Sequence, residues 1–165
     1  MMLTIWPPAV RLFHWTNAAL FLAAFWLLEG GEDWHARAGY GVAALVVWRI
    51  GYGLFGRGPA AFRSFWPTLS RLRRYRAVFP DRDGEFSGHN PAGALMILFL
   101  LAGLLLTAFT GWLQETDRFW GEEWVQRLHE IAADTVMAAV VLHVAAVLLM
   151  QRLSGKPLLR AMFRG

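Results

Sequence analysis

The sequence predicts an all-α integral membrane protein, a four-helix bundle with one further helix lying on the inner membrane surface. Three observations predict it. Four segments are apolar over about the 20 residues that a membrane-spanning helix needs. The 165-residue chain is 56% hydrophobic and only 17% charged, too apolar for an ordinary soluble domain of its size. Its Lys and Arg collect on alternate connections, as in proteins whose loops alternate between two sides of a bilayer.

The first span runs over about residues 11–28 and carries Arg11, His14 and Asn17. It lacks a small-x-small cleavage pattern, so it reads as a retained helix rather than a signal segment. The second runs over about 35–55. The third, about 91–113, holds no charge and opens with Asn90 and Pro91, a capping residue followed by the proline favoured at the first helical position. The fourth covers about 124–151. Between the second and third, Ala61 to Phe79 mixes Phe62, Phe65, Trp66, Leu69, Leu72 and Tyr75 with arginines. That mixture predicts a helix with its apolar face among lipid headgroups. The chain reads as one domain, 1–165.

Charge sets the orientation. Arg11, seven arginines from Arg57 to Arg82, and Arg152, Lys156, Arg160 and Arg164 fall on one side. The other side holds Arg37, Arg118 and Arg127 among Glu29, Glu32, Asp33, Glu115, Asp117, Glu122, Glu123 and Glu130. The basic side is expected to be cytoplasmic, with both termini inside a bacterial inner membrane. The net charge of +4 is then a topology signal, and no nucleic-acid partner is expected. With no Cys, the chain has no disulfides, no thiolate-held iron–sulfur cluster and no covalently attached haem.

Four of the five histidines lie in or at the ends of predicted spans, where ionisable side chains are costly and usually functional. His129 and His143 are 14 residues apart on the fourth helix. At 1.5 Å and about 100° per residue they share one stripe, roughly 21 Å apart in depth. Topology puts His35 at the outer level with His129, and His14 at the inner level with His143. Each couple could clamp a flat iron porphyrin from both sides, with Ala132, Ala133, Val136, Ala139 and Val140 leaving room between. Close helix packing would favour the same small residues. Gly39, one turn after His35, would let a ring approach the backbone. Arg49, 14 residues after His35, suits a propionate, although snorkelling to the interface would also explain it. Arg127, Glu130 and Asp134 read as a partly wet outer charge cluster. His89, just before the third span, reads as an interface loop residue or as a contact to a quinone headgroup or an inner propionate.

The motifs Arg11-Leu12-Phe13-His14-Trp15, His35-Ala36-Arg37-Ala38-Gly39-Tyr40-Gly41 with Arg49, Gly88-His89-Asn90-Pro91-Ala92-Gly93-Ala94, His129-Glu130, His143 and Ala161-Met162-Phe163-Arg164-Gly165 occur in order over nearly the whole chain. In this the sequence resembles the prokaryotic cytochrome b561 family, which includes b-type cytochrome subunits of nickel–iron hydrogenases. The resemblance implies two b haems with His14, His35, His129 and His143 as axial ligands. It also implies exchange with ubiquinone or menaquinone, and a periplasmic dehydrogenase, hydrogenase or cytochrome as redox partner. An electron-carrier subunit is the first expectation. A superoxide:quinone oxidoreductase is the second, disfavoured by an acidic outer side that would repel an anion. A non-haem metal transporter or structural bundle is the third, disfavoured because zinc sites gather three or four ligands at one depth.

Overall fold

A computed structural model describes residues 6–81, 85–86 and 89–163. Arg82, Gly88, Arg164 and Gly165, used in the reading above, lie outside the described residues. All regular structure among the described residues is helical: α1 (Pro8–Trp26), α2 (Asp33–Phe55), α3 (Phe62–Phe65), α4 (Leu69–Val78), α5 (Pro91–Gln114), α6 (Glu123–Ser154) and α7 (Leu158–Phe163). Three of these, α2, α5 and α6, are long and apolar enough to cross a membrane. α1 is a 19-residue helix interrupted by Arg11, His14 and Asn17, and does not reach that standard on apolarity. It starts three residues before the expected span because Pro8 supplies the fixed φ of a first turn.

The helix ends follow local chemistry. Asn90 Oδ1 accepts from Gly93 N at 2.7 Å and Pro91 opens α5. Gly155, at φ 71°, ends α6 in the left-handed conformation, its N–H bonded to Gln151 O at 3.1 Å. Between those ends α6 is 32 residues, roughly 48 Å at 1.5 Å per residue, longer than a hydrocarbon core of about 30 Å.

In a bilayer, helices associate through close packing rather than by escaping water. α1 packs along α2, α2 on α5, and α5 along α6. α6 has no comparable seam with α1 or α2. At Gly103 the α5–α6 seam is so tight that a Cβ would meet Val136 Cγ2 at 2.7 Å. The buried core joins Phe21, Val42, Val46, Leu101, Leu104 and Val136 with Phe62 and Phe65.

Those two phenylalanines depart from the expected surface helix. The segment breaks at Trp66-Pro67, because proline cannot continue the helix. The first piece, α3, turns inward and buries Phe62 and Phe65, while Arg49 Nη2 holds the preceding Ala60 O at 3.0 Å. The second piece, α4, keeps Leu69 and Leu72 exposed beside Arg73, Arg74 and Arg76. Trp6, Val10, Ala60 and Ala161 form a second buried cluster, so the chain start, the α2–α3 loop and α7 meet at the basic end.

Candidate functional site

Each histidine of α6 faces an imidazole from another helix. The rings of His14 (α1) and His143 have centres 6.5 Å apart. The rings of His35 (α2) and His129 have centres 6.1 Å apart. Two imidazoles on one metal, each with a bond of about 2 Å, would have ring centres roughly 6 Å apart. All four rings are partly buried. Nδ1 of His14 and of His35 is buried with no hydrogen-bond partner. The α6 surface between the couples is lined by Ala132, Val136 and Ala139, all buried. A Cβ at Gly39 would touch nothing within 4 Å. Two facing imidazole couples, with small residues between them and no backbone seam from α6 to α1 or α2, suit a flat macrocycle held through its metal. Among the described residues no three His, Asp or Glu side chains converge as a zinc site would require.

The two couples are supported differently. His129 Nδ1 lies 3.0 Å from Thr107 O and 3.2 Å from Thr110 Oγ1. A carbonyl only accepts, so Nδ1 carries the proton there and Nε2 keeps its lone pair for a metal. The Thr110 hydroxyl is itself turned toward the helix backbone, 2.9 Å from Leu106 O and 3.0 Å from Thr107 O. Sequence reasoning missed this support, although Thr107 and Thr110 are the only hydroxyl side chains in α5, one turn apart.

At the basic end Arg49 is 3% exposed. Its guanidinium lies 5.2 Å from the Phe62 ring centre, and Nη1 is buried without a partner. His89, in the loop just before α5 as expected, is packed against Trp6 (4.2 Å between ring centres) and Phe65 (4.8 Å). Burial, with Arg49 and His143 adjacent, pushes its imidazole down to about 3, so the ring is uncharged at neutral pH. Its Nδ1 is buried and has no hydrogen-bond partner among the described residues, nor have Arg11 Nε and Asn17 Oδ1. Nothing in local sequence marks Trp6 and Phe65 as walls around His89, since tertiary folding alone brings them together. At the acidic end Arg127 pairs with Glu130 at 3.3 Å, whereas Asp134 is exposed.

Neither a curated protein nor a solved structure matches the chain. The family described as prokaryotic cytochrome b561 matches residues 5–165. With that match across nearly its whole length, the chain belongs to the prokaryotic cytochrome b561 family, membrane proteins that use b-type haem for electron transfer.

Proposed function

We propose that this protein is a two-haem cytochrome that carries electrons across the bacterial inner membrane between the quinone pool and a periplasmic redox partner. In this reading residues 1–165 form one domain. α1, α2, α5 and α6 all cross the membrane, α4 lies on the cytoplasmic surface, and both termini are cytoplasmic. The carrying observation is the pair of facing imidazole couples, His35 with His129 and His14 with His143.

Bound haem supplies reversible one-electron chemistry at its iron. The residues do the rest. Two imidazoles per site would hold the iron and leave it no open position for oxygen, which favours electron transfer. The Thr107 carbonyl orients His129 and sets its tautomer. The buried Arg49 guanidinium offers a charge-assisted partner to a propionate. α6 carries one imidazole of each couple and so links the two levels. Ubiquinone or menaquinone is the expected membrane reactant. The oxidoreductase reading has no observation in its favour, because Glu29, Glu32, Asp33, Glu115, Asp117, Glu122 and Glu123 dominate the outer connections.

The test is a reduced-minus-oxidised spectrum with haem quantitation on detergent-purified protein. Two low-spin b haems per chain are expected. His35→Ala and His129→Ala should each remove the same haem, and His14→Ala and His143→Ala the other. A colourless preparation from haem-replete cells, or loss of the same haem in His129→Ala and in His143→Ala, would overturn the reading.

A further inference from the structure

The basic end concentrates buried donors without a matching acceptor. Among the described residues Arg49 has one hydrogen bond, to the neutral carbonyl Ala60 O, and its Nη1 has none. The described carboxylates at this end are already engaged: Asp81 with Lys156 at 2.6 Å, and Glu85 with Arg74. A buried guanidinium without a counter-anion is strongly unfavourable. His89 stands in the same cluster, electrostatically coupled to both Arg49 and His143. Trp6 and Phe65 fix the plane of its ring, and its buried Nδ1 meets no acceptor among the described residues. A cation and an uncharged N–H donor, both desolvated and both unsatisfied, are complementary to a carboxylate. Repeated accepting groups alone, such as a quinone's two carbonyls, would leave the guanidinium charge unbalanced.

We propose that His89 and Arg49 together form a carboxylate site that seats a propionate of the cofactor held by His14 and His143. The inference rests on the two-haem reading. His89 is a binding residue in this arrangement, and its aromatic neighbours position it.

The test uses the full-length protein with both haems bound. His89→Phe keeps a flat ring between Trp6 and Phe65 but removes the donor. His89→Asn restores a donor close to the position of Nδ1. Without the donor the propionate carries more uncompensated negative charge, which favours ferric iron. In His89→Phe the midpoint potential of the His14/His143 haem should therefore fall, or that haem should be lost, while the other haem keeps its occupancy and potential. His89→Asn should recover most of the change. Reconstituting both forms with haem dimethyl ester, which has no free carboxylates, should abolish the difference between wild type and His89→Phe. Unchanged potentials in His89→Phe with two haems retained would overturn the inference. So would a change confined to quinol oxidation, a failure of His89→Asn to recover, or a difference that persists with the ester. Wild-type protein with fewer than two haems would instead bring down the functional reading itself.

Discussion

The two ends of the bundle solve the same problem in opposite ways. The basic end is roofed. Trp6, Val10, Ala60 and Ala161 pack together, Trp15 Nε1 donates to Met162 O at 3.2 Å, and the pair of buried Asp81 with part-buried Lys156 ties the α4–α5 connection to the tail. Under that roof sit His14, His143, His89 and Arg49, with polar atoms left unpartnered. The acidic end has short connections and exposes Trp26, Leu27, Trp34, Trp120 and Trp124. Its main cross-link is the exposed Tyr40–Glu115 hydrogen bond. Here the imidazole is fixed from within, by the α5 backbone at Thr107. One end covers its imidazoles with tertiary structure, and the other orients one with a helix. The difference teaches that matching histidine spacing does not imply matching environments, so substitutions at the two ends should fail in different ways.

The sharpest break should come from the roof. Lys156→Met leaves Asp81, whose side chain is 4% exposed, without its cation. Removing one partner of a buried pair costs about 3 kcal/mol or more. The expected outcome is a clear drop in thermal midpoint in detergent, with haem lost first from the His14/His143 couple. Equal loss from both couples would mean that the roof does not belong to one end. Next comes Gly111→Val at the other end. A Cβ there already meets His129 Cε1 at 3.1 Å, and branching adds bulk against the ring. Retention of the His35/His129 haem should fall more than tenfold in a haem-transfer assay, with the other haem unaffected.

Thr110→Val is milder, because the Thr107 carbonyl still holds Nδ1. Losing one supporting partner of a metal-ligating imidazole weakens binding by about tenfold, the lower part of the usual range. The shift should appear only in the spectrum and potential of the His35/His129 haem. Arg127→Ala should do least. Its pair with Glu130 joins side chains 73% and 61% exposed, and such pairs contribute at most about 1 kcal/mol. A large loss of stability in that variant would show that the acidic end is less open than its geometry implies.

Much of this was legible in the sequence. The apolar runs predict helices close to α2, α5 and α6, because span length and hydropathy are local properties. The 14-residue interval between His129 and His143 depends only on helix geometry, and in the structure each ring does face an imidazole from another helix. Their role as ligands is the proposal above. The inward turn of Phe62 and Phe65 was not legible. An apolar residue beside arginines looks the same whether lipid or protein covers it, and the hold of Arg49 on Ala60 decides between them. Nor was the burial of His89, since its neighbours Trp6 and Phe65 are distant in sequence and come from separate elements.

Among the long helices α6 seats along α5 and not along α1 or α2, which has a consequence for assembly. α1 with α2, and α5 with α6, make two helical hairpins joined at the α2–α5 seam. The two hairpins are laid out like the covers of a book on its spine. In the proposed arrangement a rigid disc enters edge-on from the fore-edge, and imidazoles from both covers hold it. On the two-haem proposal, maturation of this protein is tied to cofactor supply, and a chain starved of it would be left with an unclosed pair of hairpins.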